Sequence, residues 1–212
     1  MKLPSDREIN SVLLPYGVDP PDQMASQIRA YISLLLKWNE RVSLTTVTDP
    51  NQILRFHFGE SLFVRSILPV EKSRLADVGS GAGFPGIPLA MAAPDLTVYL
   101  IESNIKKFAF LSEVIRELQL TNVIASRTRM EDFQSIPKPL DFVTARALGQ
   151  FDDLLRWSGA HLFESRGLLI LWLGGDSDVA AITLEKGWDW RPPVPIPGTQ
   201  RRFILSGSPA QQ

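Results

Sequence analysis

Leu75-Ala76-Asp77-Val78-Gly79-Ser80-Gly81-Ala82-Gly83-Phe84-Pro85-Gly86 is the stretch that decides how this chain is read. The mostly apolar residues 75–78 read as a short buried strand, and the run of glycines after them brings bare backbone close to a ligand. A dinucleotide fingerprint requires Gly-x-Gly-x-x-Gly. Here the third glycine position after Gly79 and Gly81 holds Phe84, a ring where a pyrophosphate needs open backbone. The pattern Asp-x-Gly-x-Gly-x-Gly, with Asp77 ahead of Gly79, Gly81 and Gly83, suits a ligand without phosphates, such as S-adenosylmethionine. In that reading Asp77 accepts from the ammonium of the methionine part, and the glycines pass beneath the ribose and sulfonium.

A second signal lies outward from the first. Thr97 to Ile101 is another apolar run, and it ends in Glu102. That acid stands about 20 residues beyond the glycine loop, the spacing of a carboxylate that holds ribose hydroxyls. The competing reading makes Glu102 part of the cap of a helix starting near Asn104. The two signals together point to a nucleoside cofactor held at two adjacent strand ends.

The rest of the core follows the same grammar. A helix through Ile87–Met91, a helix carrying Phe108, Leu111, Ile115 and Leu118 on one face, and strands at 122–125, 140–144 and 168–173 alternate along the chain. Such alternation predicts a mainly parallel sheet covered on both faces, with ligands at the carboxyl ends of its strands. The segment 201–205 reads as a final edge strand, with Arg201 and Arg202 as charged gatekeepers or a phosphate-binding rim. Trp188 and Trp190 read as packing beneath the tail. Before the core, helices are expected from Asp6 to Tyr16, from Asp22 with Ile28, Tyr31, Ile32, Leu35 and Trp38 on one stripe, and from Pro50 toward Leu68 after an Asp49 cap. The expectation is a helical cap over residues 1–72 packed on a core over residues 73–212.

Composition sets bounds. The chain has 212 residues, 44% of them hydrophobic, enough for a substantial core. It has no cysteine and two histidines, which excludes a disulfide framework and a thiolate site and argues against a zinc site built from its side chains. No apolar run approaches the length of a membrane span, so a cytoplasmic location without membrane contact is expected; a monomer is expected as well. A net charge of -1 restricts any nucleic-acid surface to a local patch. His57, flanked by Phe56 and Phe58, reads as structural, and His161 as a surface residue.

Several segments resemble one family closely: the bacterial small-subunit ribosomal RNA guanine-N7 methyltransferases, also called RsmG or glucose-inhibited division protein B. They are Lys37-Trp38-Asn39 with Leu44-Thr45, His57 with Glu60-Ser61, the glycine stretch extended through Ile87-Pro88-Leu89-Ala90, Ile101-Glu102-Ser103-Asn104 with Lys106-Lys107, Arg129 with Glu131, and Thr144-Ala145-Arg146-Ala147. The resemblance implies an α/β fold, a seven-stranded Rossmann-like S-adenosylmethionine-dependent methyltransferase behind an N-terminal helical cap. It also implies methyl transfer to N7 of a guanine in the decoding-region loop of 16S rRNA, with the 30S subunit or an assembly intermediate as partner.

Carried over residue by residue, the resemblance implies that Gly79 and Phe84 line the cofactor, Glu102 takes the ribose, Met130 and Glu131 flank the adenine, and Arg146 reaches the cofactor or target pocket. Lys106, Lys107, Arg129 and Arg201 are candidates for RNA contact. Some positions depart from the family pattern: Trp172-Leu173-Gly174 stands where Leu-Lys-Gly is usual, Ser43 replaces an asparagine and Glu60 an aspartate. Two rivals are a small-molecule methyltransferase on the same fold and, motivated by Leu173, a cofactor- or rRNA-binding paralogue without catalysis.

Overall fold

The structure is a computed structural model that describes residues 2–68, 72–133, 138–146, 151–164 and 166–210. Helix α1 (Asp6–Leu13) starts at a reciprocal cap, in which the Ser5 hydroxyl accepts from the Glu8 amide and Glu8 accepts from the Ser5 amide. It tightens into a 3₁₀ turn at Leu14–Tyr16 and stops at Gly17, whose φ of 75° is left-handed. Helix α2 (Asp22–Asn39) buries Ile28, Tyr31, Ile32 and Leu35, the stripe expected from sequence.

The third helical stretch begins as expected, with the Asp49 carboxylate capping the Gln52 amide at 2.8 Å ahead of α3 (Pro50–Ile53). It then widens into a π-helical segment (Leu54–Gly59) before α4 (Glu60–Leu62) and a 3₁₀ turn (Phe63–Ile67). Gly59 is required here, because a Cβ would lie 2.5 Å from the Tyr16 ring.

From Ser73 strands and helices alternate: β1 (Ser73–Val78), α5 (Gly86–Ala92), β2 (Leu96–Ile101), α6 (Ile105–Glu117), β3 (Val123–Ser126), β4 (Phe142–Arg146), α7 (Phe151–His161), β5 (Leu168–Leu173), α8 (Asp176–Thr183), β6 (Trp188–Trp190), β7 (Val194–Pro195) and β8 (Phe203–Pro209). The sheet runs β3-β2-β1-β4-β5-β8-β6, a seven-strand path, with the two-residue β7 paired to β8 beside it. Strands β1 to β5 are mutually parallel, and β8 is antiparallel to both its neighbours.

Residues 201–205 therefore do not form an edge strand. Strand β8 starts at Phe203 and lies inside the sheet, because beyond its pairing with β5 it is met by Val194–Pro195 at Phe203 and Ile204 and by Trp188–Trp190 at residues 207–209. The alternation of half-buried Trp188 and Trp190 around exposed Asp189 is the strand signal that a reading as loose packing overlooked.

The sheet carries apolar side chains on both faces, as parallel strands demand. Leu75, Val98, Leu100, Phe142, Ile170 and Ile204 join the N-terminal helices, α5 and α6 in one continuous core. Val143, Leu169, Leu171 and Leu205 join α7 and α8 on the opposite face. Polar clamps tie α2 to α6: Gln27 donates to the Leu118 carbonyl at 3.1 Å, and Trp38 to the Glu113 carboxylate at 3.0 Å. The buried face of α6 is Phe110, Leu111, Val114 and Leu118, rotated from the expected stripe. Phe110 turns toward Tyr31 and Trp38 because α6 must fill the space under α2 as well as cover the sheet.

Candidate active site

The register of β1, β2 and β4 sets Val78 beside Ile101 and Ala145, so the chain leaves the sheet at one level. Gly79, Glu102 and Arg146 emerge together at this edge. The glycine turn is tied to the neighbouring strand, with the Gly79 and Ser80 amides donating to the Ile101 carbonyl at 2.9 and 3.1 Å. Gly79, Gly81 and Gly83 all have positive φ, 68°, 58° and 85°, which only glycine adopts without strain. Among the described residues a Cβ on Gly81 would meet only the Gly79 carbonyl oxygen, at 3.7 Å, so the space above the turn is open to a ligand.

Glu102 is 7% exposed, and its carboxylate bridges two backbones, accepting from Gly81 N at 2.9 Å and Asn104 N at 2.7 Å. It thus both fixes the glycine turn and holds the approach to α6, whose first amides are capped by the Asn104 side chain. The helix-cap and ligand readings of this acid describe one geometry.

Asp77 is placed differently from the sequence expectation. It is fully buried, accepting from the Thr144 hydroxyl at 2.8 Å and the Gly86 amide at 3.2 Å, so both oxygens are turned into the fold and away from any ammonium. Burial pushes its carboxyl up to about 7 against the opposing pull of the Thr144, Gly86 and Ser80 hydrogen bonds. Asp77 shapes the loop from below, anchoring the start of α5 to β1 and β4.

Two clefts adjoin along Gly79, Glu102 and Ser103. The first, of about 350 Å3, is lined by Ile101, Glu102, Arg129, Met130, Glu131 and Leu154 among others. The second, of about 420 Å3, is lined by Thr45, His57, Gly81, Phe84, Lys107 and Arg146 among others. Every cofactor-side residue expected from the sequence except Asp77 and Gly83 thus borders one of the two. Gly83 lies behind, its Cα facing Tyr31 and Ile87 so closely that a Cβ would clash with both. Of the candidate RNA contacts, Arg129 and Lys107 line the clefts, whereas exposed Lys106 and Arg201 line neither. Ala147, part of the resemblance, lies outside the described residues.

Sequence reasoning missed a buried ion cluster behind the second cleft. Glu60, 1% exposed, receives Arg146 Nη2 at 2.9 Å on one oxygen and Arg202 Nη1 at 2.6 Å on the other. Arg146 Nη2 also donates to the Phe56 carbonyl, and the Trp172 indole donates to the Glu60 carbonyl at 2.8 Å. Among the described residues Arg146 Nη1 has no partner although it is buried. Glu60 recruits Arg202 and not its neighbour Arg201, a partnership spanning 142 positions that local spacing cannot encode.

His57 belongs to the same group. Its Nε2 lies 2.8 Å from the Thr45 hydroxyl and its ring stacks on Phe84 at 4.8 Å, while Nδ1 is buried without a partner among the described residues. Burial, helped by the nearby Arg146 and Arg202 charges, lowers its pKa to about 3, so the imidazole is neutral. His161, expected on the surface, is 8% exposed, its Nδ1 2.7 Å from the Trp157 carbonyl and its ring stacked on Trp157. Leu173 is 4% exposed in the core beneath α7 and α8, so the position of the missing lysine is occupied by ordinary apolar packing. No helix among the described residues is long and apolar enough to cross a membrane.

Solved structures share this architecture at low identity. The chain aligns with a SAM-dependent methyltransferase from Aquifex aeolicus at TM-score 0.59 and 19% identity, over 75% of this chain and 93% of that one. A ribosomal protein L11 methylase from Lactobacillus delbrueckii subsp. bulgaricus aligns at TM-score 0.61 and 17% identity, covering 74% of this chain and 80% of the other. These likenesses establish a Rossmann-like methyltransferase fold.

Sequence relatives are much nearer. Ribosomal RNA small subunit methyltransferase G of Yersinia enterocolitica is 41% identical over 181 residues, 85% of this chain and 86% of its own length. The protein of the same name from Desulfitobacterium hafniense is 44% identical over 146 residues, 65% of this chain and 60% of its own length. The family model for GidB, described as rRNA small subunit methyltransferase G, matches residues 24–186. With a family match over most of its length and relatives of this identity, the chain belongs to the rRNA small subunit methyltransferase G family.

Proposed function

We propose that this protein transfers a methyl group from S-adenosylmethionine to N7 of a guanine in the decoding-region loop of 16S rRNA, acting as a cytoplasmic monomer on the 30S subunit or an assembly intermediate. The observation that carries the reading is the pair of clefts meeting at Gly79 and Glu102. One is suited to the adenosine of the cofactor, with Glu102 at the ribose and Met130 and Glu131 beside the adenine. The other leaves room for the reacting end and a purine. The open space over Gly81 and the buried Glu102 carboxylate fit a ligand that brings hydroxyls and no phosphate.

When bound, S-adenosylmethionine supplies an electrophilic methyl on a sulfonium sulfur. Guanine N7 has a free lone pair and no proton, so the protein need not supply a general base. Its residues contribute by aligning two partners and excluding water. Arg146 Nη1, a buried donor with no partner among the described residues, is assigned to guanine O6 rather than N7, since a donor on N7 would occupy the reacting lone pair. Glu60 and the Phe56 carbonyl hold the guanidinium so that the free nitrogen faces one way. Lys106, Lys107, Arg129 and Arg201 are assigned to RNA phosphates, a role that makes binding salt-dependent. The helices of residues 1–72 serve as a cap over the core of residues 73–212, contributing Thr45 and His57 to the cleft wall.

Labelled S-adenosylmethionine incubated with deproteinised 16S rRNA, with 30S particles and without RNA tests the reading. Label on RNA that maps to guanine N7 is expected, and label transferred without RNA would transfer the case to a small-molecule methyltransferase. In parallel, an Arg146→Ala protein with unchanged cofactor affinity and unchanged turnover would refute the assignment of that side chain.

A further inference from the structure

Three aromatic rings form a column from the buried helical layer to the second cleft. Tyr31 on α2 is fully buried and lies parallel to Phe84, with centroids 5.1 Å apart and planes within 5°. Its hydroxyl is bonded to the Ala82 carbonyl, which fixes it to the glycine loop. Phe84 in turn stacks on His57, with centroids 4.8 Å apart and an angle of 29°. Phe58 braces the column from the side, edge-on to Tyr31 and to Phe84, each at 5.3 Å. The first two rings are buried; His57, at the outer end, is only partly so and lines the cleft.

What His57 presents there follows by elimination. One face is covered by Phe84. Nε2 is engaged by the Thr45 hydroxyl, and Nδ1 is shut away from solvent. The opposite face and the carbon edge are the parts of the ring without a hydrogen bond or a stacked ring among the described residues, and the ring borders the second cleft. With the imidazole proton assigned to Nδ1, the Thr45 hydroxyl, which accepts from the Val47 amide at 3.1 Å, can donate its own hydrogen to Nε2. This arrangement leaves one unmet donor, whereas the other tautomer would strand the threonine hydrogen as well. The ring sits in the π-helical segment Leu54–Gly59.

We propose that the free face of His57 is the shelf on which the target guanine stacks, extending the Tyr31–Phe84–His57 column by one more aromatic ring. The inference rests on the rRNA methyltransferase reading above and deepens it. An uncharged ring suits the place, because guanine becomes cationic on N7 methylation and an imidazolium beneath it would oppose both the incoming sulfonium and the product. Stacking accepts any base, so His57 positions the purine while hydrogen-bonding groups such as Arg146 select it.

Wild type is compared with His57→Ala, His57→Gln and His57→Phe for cofactor affinity by calorimetry, for thermal midpoint, and for methyl transfer to small subunits lacking the modification. All four are expected to bind S-adenosylmethionine within about twofold of each other. His57→Ala and His57→Gln should lose about tenfold or more in kcat/KM, the scale of one base–aromatic contact, and His57→Phe, which keeps a flat face without the Thr45 bond, should regain most of it. Wild-type rates in His57→Gln, a His57→Phe protein as slow as His57→Ala, or a parallel loss of cofactor affinity would each overturn the shelf.

A wild-type protein that methylates no rRNA would overturn the functional reading instead. The shelf is then judged by the intrinsic fluorescence of 7-methylguanosine 5′-monophosphate: quenching by wild type and His57→Phe but not by His57→Ala supports it, and equal quenching by all three refutes it.

Discussion

Trp172 and Glu60 meet across the fold: the indole of β5 donates to the carbonyl of a helical residue 112 positions earlier, at 2.8 Å. The same residue's carboxylate neutralises Arg146 from the site and Arg202 from the approach to β8. A single buried acid therefore fastens the N-terminal helices to two separate parts of the sheet. Removing it strands two guanidinium charges, one of them with only 17% of its side chain exposed. Glu60→Ala is expected to cost about 3–5 kcal/mol in urea denaturation. Arg202→Ala should cost far less, because that side chain is 46% exposed and water can take its place. Equal costs would show that the cluster does not act as described.

Glu102 offers a cleaner test of the cofactor site. Glu102→Gln keeps an acceptor for one of the two amides, Gly81 and Asn104, but lacks the charge that strengthens a bond to a ribose hydroxyl. Cofactor affinity measured by calorimetry should fall about ten- to a hundredfold, the range for hydrogen bonds to charged groups. Unaltered affinity would remove this acid from the ribose.

Two glycines with similar backbone angles separate strain from crowding. Gly17 has a φ of 75° and nothing within 4 Å of an added Cβ, so Gly17→Ala should cost about 1–2 kcal/mol of backbone strain alone. Gly83 has a φ of 85°, and its Cβ would also collide with the Tyr31 hydroxyl and sit 2.6 Å from Ile87 Cδ1. Gly83→Ala adds overpacking of about 1–3 kcal/mol to the same strain. Thermal denaturation should rank Gly83→Ala well below Gly17→Ala, and the reverse order would contradict the packing of the glycine loop on α2.

Asp77 and His57 give stability two opposing dependences on pH. Asp77 titrates near 7 in the folded protein and at 3.8 when free, so between those values the native state holds a proton that the unfolded chain has released, and stability falls as pH rises. His57 titrates near 3 folded and at 6.5 free; between these values the unfolded chain holds the extra proton, and stability falls as pH drops. Over the shared window from pH 4 to 6.5 the slopes, each at most about 1.4 kcal/mol per pH unit, largely cancel. Relative to wild type, Asp77→Asn should become less stable as pH is lowered through that window, and His57→Phe more stable. Denaturation of the three proteins at pH 4.5, 5.5 and 6.5 checks both signs.

Much of this architecture is legible in local sequence because its causes are local. The glycine loop, the Asp49 cap and the β5 run each depend on neighbours within a few residues, and each is found where the spacing puts it. What was illegible depends on tertiary partners. Asp77 reads as a ligand contact until Thr144 and Gly86 are seen to occupy it. The buried face of α6 turns because α2 shares it, and Arg202 pairs with Glu60 because only the fold brings the two together. The role of His57 was hidden for a similar reason: its apolar neighbours Phe56 and Phe58 signal burial, but not that its own ring closes a column ending at the cleft.

Strand β8 pairs with three strands made earlier in the chain, β5, β6 and the two-residue β7, and β5 and β6 do not pair with each other. The order of assembly thus cannot follow the order of synthesis. Until residues 203–209 insert, β5 and Trp188–Trp190 each expose an unsatisfied hydrogen-bonding edge, and Glu60 waits for one of its two counter-charges. Completion of the sheet and neutralisation of the acid behind the cleft are then one event, so a nascent chain stopped short of β8 is both sticky and without a finished site.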